Sequence, residues 1–158
     1  IILNFNLVNK NFYLILINLS SVFMLGLSKI LRRVFMAFSD TYRLSSHAVI
    51  TNEQGQVLLL KADYGQKSWG LPGGALDQGE TIHQALVREC KEELNCDIQI
   101  GYLSGVYYHT AFNSHAFIFR AYLPENAEIM LSSEHTEYDY FDIDALSTVQ
   151  KERVLDCL

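Results

Sequence analysis

Residues 81–94 restrict how this chain can fold more than any other stretch, because a helix is specified there at both ends and along one face. Thr81 and Gln84 stand at the spacing of a capping box, which predicts a helix starting near Ile82. Asn95 follows Leu94, and Asn is second only to Gly at the left-handed position that ends helices. No Gly or Pro intervenes. At about 100° per residue, Ile82, Ala85, Leu86, Cys90 and Leu94 share one broad apolar arc. Glu89 and Glu93 fall inside that arc, and Glu92 lies just beyond its edge. The first half of the helix is therefore predicted to pack, while its second half points carboxylates where core is expected.

Glu89, Glu92 and Glu93 are neighbours at i, i+3 and i+4, where like charges repel. Partly buried carboxylates need a counter-charge, or they stay protonated. Arg88 can neutralise one. A hard divalent cation answers the rest, since Mg²⁺ takes a few carboxylates together with substrate phosphate. The alternative is a solvated acidic face, the usual fate of a charge run. The approach to the helix bears on that choice. Gly70, Pro72, Gly73 and Gly74 make a backbone-rich turn with no side chain at Gly73 or Gly74, so main-chain groups can come close to an ion or ligand.

From Gly74 the spacing is Gly, five residues, Glu80, seven residues, then Arg88-Glu89-Cys90-Lys91-Glu92-Glu93. This pattern resembles the Nudix hydrolase motif, in which a Gly, a Glu, an Arg-Glu pair and a Glu-Glu pair recur at these intervals. Gly74, Glu80, Arg88, Glu89, Glu92 and Glu93 match it position by position, and Trp69-Gly70-Leu71-Pro72-Gly73-Gly74 is similar to the family's lead-in. Cys90 and Cys96 stand where larger aliphatics are usual, and Asn95 replaces the usual Gly; no carboxylate is affected. The resemblance implies an α/β fold, the Nudix-type α/β/α sandwich built on a mixed β-sheet. It implies a metal-dependent enzyme, a pyrophosphohydrolase using Mg²⁺ or Mn²⁺ to cleave a nucleoside diphosphate linked to another group. On that reading Glu89 and Glu93 are metal ligands, one of them also serving as base, and Glu92 is a ligand or an outer partner of one. The Gly73 carbonyl is a further ligand, Arg88 orients a glutamate, and Glu80 fixes the loop before the helix. A carboxylate from outside the helix is also implied, Glu134 being the first candidate and Glu137 the second. The remaining class is a Nudix-like nucleotide-binding or regulatory module without catalysis.

Charge excludes some partners. All eighteen acidic residues lie after position 35, where only eight of the twelve basic residues are found, so residues 36–158 carry a net −10. That balance argues against a nucleic-acid duplex as partner, because phosphate backbones are held by Lys and Arg. A small nucleotide-type diphosphate remains compatible, since a bound metal supplies positive charge. Cys90, Cys96 and Cys157 form no disulfide framework and no zinc spacing. Cys90 and Cys96, at apolar positions, read as buried small hydrophobes, and a reducing, cytoplasmic setting is expected.

Two domains of unlike composition are expected, residues 1–35 and 36–158. Phe12 to Leu27 is sixteen residues without charge, followed by Lys29, Arg32 and Arg33. Three readings stand: an upstream, non-native segment preceding Met36, a membrane-associating helix, or a packed N-terminal helix. Membrane contact is expected only if these residues are native. The oligomeric state is open, a dimer included.

After Met36, residues 43–51 and 56–62 read as strands joined by the turn 52–55, hence a hairpin. Residues 97–109 read as a strand bent at Gly101 and Gly105. Residues 114–123 alternate, with Ala116, Ile118 and Arg120 on one face and Phe117, Phe119 and Ala121 on the other. A further strand is expected within 134–143, then a short helix from Asp144 and a last one over 148–157. Trp69, Tyr64, Tyr107 and His109 are the candidate substrate contacts. Tyr108, Phe112 and His115 are weaker ones, because aromatics at strand spacing are more often core.

Overall fold

The computed structural model describes residues 41–158, so the expectations for residues 1–35 lie outside the described residues. Residues Tyr42–Leu158 form one compact unit. Its strands are β1 (Arg43–Val49), β2 (Val57–Ala62), β3 (Trp69–Gly70), β4 (Gly73–Ala75), β5 (Gln99–His109), β6 (Ser114–Tyr122) and β7 (His135–Phe141). Its α-helices are α1 (Ile82–Leu94) and α2 (Thr148–Leu155), with 3₁₀ turns at Thr110–Phe112 and Ile143–Ala145.

The expected helix forms where its caps specify it. The Thr81 hydroxyl accepts from the Gln84 N–H, and the Gln84 side chain accepts from the Thr81 N–H. Asn95 takes the left-handed conformation at φ 55°, its N–H donating to the Lys91 carbonyl. These local bonds satisfy backbone groups that a helix leaves without partners at its ends.

The strands form two sheets rather than one. A four-stranded mixed sheet runs β4-β1-β6-β5, with β1 parallel to β6, and a three-stranded antiparallel sheet runs β3-β2-β7. This corrects the predicted hairpin. The turn after β1 is closed by the Asn52 side chain and by a single antiparallel bridge between Thr51 and Val57. Beyond that bridge β1 and β2 diverge into different sheets. The reason lies in their faces: every residue from Val57 to Leu60 is buried, so β2 has neighbours on both sides and cannot serve as the half-exposed arm of a hairpin.

Alternation then sorts the core. Ala48, Leu58, Leu60, Phe119 and Ala121 face α1 and meet Leu86, Cys90 and Leu94. Val49, Val57, Leu59, Ala116 and Ile118 face the other way and meet Val154 of α2, with Leu146 and Cys157. The sheets thus lie between α1 and α2, the layered α/β/α arrangement expected of two amphipathic helices covering strands buried on both faces. β5 slips register between Ile100 and Tyr102 and again between Leu103 and Gly105, so the two glycines mark the irregularities as predicted. The three cysteines are free and buried.

Candidate active site

The short strand β4 delivers the glycine turn to the carboxylate end of α1. Gly73 and Gly74 pair with His47 and Ser46 of β1. Gly73 sits at φ 123°, and a β-carbon there would run into the Ser46 carbonyl oxygen, so no other residue fits. At Gly74 the restriction comes from the site itself: a β-carbon would lie 2.6 Å from the carboxylate carbon and both oxygens of Glu89. The glycine turn and the glutamates are one packed unit.

Arg88 organises the acids. Its Nε and Nη2 donate to the two oxygens of Glu80 at 2.7 and 2.9 Å, and Nη2 also reaches the Ala75 carbonyl. Its Nη1 donates to Glu89 Oε1 at 2.9 Å and Glu92 Oε2 at 3.2 Å. Glu80 in turn accepts from the Asp77 N–H, which ties the loop before α1. The guanidinium and that N–H hold the Glu80 carboxyl down at about 2. The forked contact keeps the Arg88 guanidinium charged across the whole pH range.

The buried acids are another matter. Glu93 is only 7% exposed, and its Oε2 accepts from the Gly73 N–H at 2.7 Å. Burial pushes its carboxyl up to about 8, against the opposing pull of that N–H, and Glu89, Glu134 and Glu92 add to the rise. Burial likewise raises Glu89, partly countered by Arg88. His135 Nε2 lies 3.6 Å from Glu93 Oε1. Burial lowers His135, so with protein groups alone both partners are neutral near pH 7 and the contact is not an ion pair. One guanidinium therefore hydrogen-bonds three carboxylates, Glu80, Glu89 and Glu92, while burial raises Glu89 among them and Glu93 beside them.

Among the described residues, no three His, Cys, Asp or Glu side chains are gathered in ligating geometry. Arg88 and the Gly73 N–H hold the glutamate oxygens instead. The donor set nevertheless fits a hard divalent cation: it is all carboxylate oxygen, partly buried, mutually repelling and short of positive charge.

The remaining candidates divide clearly. Glu134 is close enough to raise both Glu89 and Glu93, whereas Glu137 is taken by Lys61 across the β2–β7 pair at 2.7 Å. Tyr64, His109 and Phe112 line a cleft of about 450 Å³ that also exposes Gly73 and Gly74. Trp69 does not line it; its ring packs edge-on against Phe141, 4.8 Å between centroids. Tyr107 also stays outside the cleft wall, donating its hydroxyl to Asp156. Tyr108 and His115 pack against Tyr42 in edge-on contacts and do not line the cleft. Sequence reading missed Arg43, Ser45, His47 and Arg153 in that cleft, and His135 beside Glu93. The first three carried a signal, the period-two spacing that puts them on one face of β1.

Residues 41–156 match the family model described as the NUDIX domain. The chain belongs to the Nudix family. A MutT-like protein of Streptomyces ambofaciens is 33% identical over 122 residues, covering 74% of this chain and 77% of that protein. An RNA pyrophosphohydrolase of Vibrio atlanticus (strain LGP32) is 49% identical over 59 residues, 37% of this chain. This Nudix chain spans about a third of the length of the RNA pyrophosphohydrolases it matches, 34% for that one. Among solved structures, an ADP-ribose pyrophosphatase from Streptococcus suis 89-1591 superposes with a TM-score of 0.63 at 22% identity, covering 74% of this chain and 90% of that one. A C. elegans Ap4A hydrolase gives 0.63 at 24% identity, covering 70% and 92%. At those identities the structures share the Nudix fold. Among the described residues no helix is long and apolar enough to cross a membrane.

Proposed function

We propose that this Nudix chain is a Mg²⁺- or Mn²⁺-dependent pyrophosphohydrolase that cleaves the diphosphate linkage of a nucleoside diphosphate joined to another group. A nucleoside triphosphate or a nucleotide-sugar-like diphosphate is the substrate class. The observation that carries the reading is Glu93, which is buried against the Gly73 N–H with its protonation raised, next to half-buried Glu89, whose protonation is raised as well. Carboxylates are buried without enough protein cations only where something else neutralises them or where a proton is meant to be held.

Glu89, Glu92 and Glu93 would hold the ion, with the Gly73 carbonyl and Glu134 as further ligands. Held by those residues, such an ion would supply charge withdrawal from phosphorus and a lowered pKa for an attacking water. The protein's own part is positioning. Glu80 fixes Arg88, and Arg88 fixes Glu89 and Glu92. The Gly73 N–H fixes one oxygen of Glu93 and leaves the other facing His135. Glu89 or Glu93 receives the proton of the attacking water, since a carboxyl raised toward neutrality is suited to holding one. The cleft along β1 seats the organic part of the substrate.

One observation favours a second reading, a nucleotide-binding module without turnover: Arg88 and Gly73 already engage the glutamate oxygens, and no three ligands converge among the described residues. A panel of nucleoside triphosphates, ADP-sugars and dinucleoside polyphosphates, assayed with Mg²⁺ and with EDTA, separates the two. The hydrolase reading expects metal-dependent product release that Glu93→Gln abolishes. Wild type and Glu93→Gln equally inert across the panel would leave the binding module.

A further inference from the structure

The cleft beside the glycine turn has one face of the mixed sheet as its floor. β1 sends Arg43, Ser45 and His47 to that floor, and α2 contributes Arg153. Same-face residues along a strand are about 6.6 Å apart, so Arg43 and His47 are separated by about 13 Å of floor. The described residues include four arginines. Arg88 is held by glutamates, and Arg120 donates to the Val49 carbonyl and the Thr51 hydroxyl. The other two are Arg43 and Arg153. Both line this cleft, and neither side chain makes a hydrogen bond or ion pair among the described residues.

Arg153 is the more demanding case. Its Nε is buried without a partner. Its guanidinium lies 5.5 Å over the Tyr107 ring, and the Tyr107 hydroxyl is anchored on Asp156 Oδ2 at 2.6 Å. Asp156, the acid one helical turn on, is thereby directed to the tyrosine, and exposed Glu152 next in sequence makes no ion pair with the guanidinium. Neighbouring His47 is lowered to about 4 by burial and by Arg153, so it is neutral at physiological pH and supplies no counter-charge. Among the described residues no Asp or Glu lines the cleft. A half-buried cation with an aromatic shelf beneath it and no ion pair among the described residues is an incomplete pair, because buried charges are ordinarily matched. A neutral base edge would leave the charge unmatched, whereas a phosphate matches both the charge and the planar fork of the guanidinium. Tyr64 and Phe112, 64% and 62% exposed, add aromatic faces to the cleft wall for a nucleoside.

We propose that the substrate group seated in this cleft carries its own phosphate, beyond those of the linkage at Glu89 and Glu93, and that Arg153 on its Tyr107 shelf grips it. This rests on the cleft being the substrate cleft of the hydrolase proposed above. It narrows the substrate class to diphosphates whose nucleoside part is itself phosphorylated.

Calorimetric titration of the full chain with adenosine 3′,5′-bisphosphate and with adenosine 5′-monophosphate tests it, with and without Mg²⁺. Neither probe contains an anhydride, so binding is read without turnover. The bisphosphate is expected to bind at least about tenfold tighter than the monophosphate, the charge-assisted contact being the difference. Arg153→Gln should erase that preference while leaving monophosphate binding unchanged, and Arg153→Lys should keep part of it. Equal binding of the two probes to the wild type, or binding of neither, overturns the proposal. So does an equal loss for both in Arg153→Gln, which would mean that the arginine supports the fold or the nucleoside. A chain that shows the preference but hydrolyses nothing keeps this inference and loses the hydrolase reading.

Discussion

Gly74→Ala is the sharpest single perturbation of the site, because it adds one carbon in a direction the structure defines. The new β-carbon would stand 2.6 Å from the Glu89 carboxylate carbon and from both its oxygens. Ordinary non-bonded carbon contacts are near 3.5 Å, so the carboxylate has to retreat by about 1 Å. The backbone allows the substitution, since Gly74, unlike Gly73 at φ 123°, is not in the left-handed region. Stability should therefore change little. Alanine restricts the unfolded chain, which favours folding by about 0.4–1 kcal/mol. Against that stands a weakened Glu89–Arg88 contact, worth about 1 kcal/mol or less for a partly exposed pair.

Activity should not be spared. Displacing a positioned group by about 1 Å costs on the order of 100-fold in rate, equivalent to about 2.7 kcal/mol of barrier. The assay is kcat and KM on the best substrate of the panel, with Tm from calorimetry and Mn²⁺ affinity from spin-resonance titration. The expected result is an unchanged Tm, a large fall in kcat and weaker Mn²⁺ binding. Combining Gly74→Ala with Glu89→Gln should give no further loss, because both act on one carboxylate. Were Gly74→Ala to keep kcat within about threefold of wild type, Glu89 would not be the positioned group, and the packing of turn against helix would have no catalytic meaning.

Glu80→Gln should lower kcat or metal affinity on the order of 10- to 100-fold, because Glu80 acts through Arg88 on Glu89 and Glu92. Restoration by Glu80→Asp would point to charge rather than shape, and full activity in Glu80→Gln would remove Glu80 from the network. His47 is lowered from 6.5 to about 4 in the folded chain, so below pH 6.5 the unfolded state binds the extra proton and stability falls with pH until about 4. That contribution amounts to about 3 kcal/mol, and a urea series in His47→Gln should show a shallower acid-side decline than wild type. Parallel curves would place the acid sensitivity elsewhere. Leu86→Ala, in the core under α1, should cost about 2–5 kcal/mol of stability, read as a lower urea midpoint with an unchanged slope.

How legible each feature was in the sequence follows the distance over which it is determined. The helix over Ile82–Leu94 could be bounded closely because each of its caps bonds groups within three or four positions. Its buried glutamates were legible for the same reason, as a departure from a local period. The split into two sheets was not. The turn 52–55 is made by Asn52 bonding its own neighbours, and a hairpin needs the same chemistry. Only the neighbours of β2, one of them nearly eighty residues on, decide that it leaves β1. Arg153 was illegible for a stronger version of that reason: its meaning comes from a strand, a helix and a loop meeting, and nothing local in the run KERV differs from an exposed helix face.

The choice between Glu134 and Glu137 shows how register supplies what composition withholds. Both acids lie near the start of β7, and alone they are equivalent. Pairing of β2 with β7 sets Lys61 opposite Glu137, and the ammonium takes that carboxylate at 2.7 Å. Glu134 falls one residue before the strand begins. Its carbonyl accepts the Asp63 N–H, which pins the backbone, and its side chain makes no ion pair among the described residues. Its charge is close enough to Glu89 and Glu93 to raise both. An acid already paired gains little from a metal, because a cation would first have to displace the lysine. An acid with no ion pair among the described residues that repels one buried and one half-buried acid lowers the energy of all three when a cation arrives. Glu134→Gln should therefore weaken Mn²⁺ binding while Glu137→Gln leaves it unchanged. The reverse order would mean that the cross-strand lysine does not hold Glu137 in solution and that the register does not select the ligand.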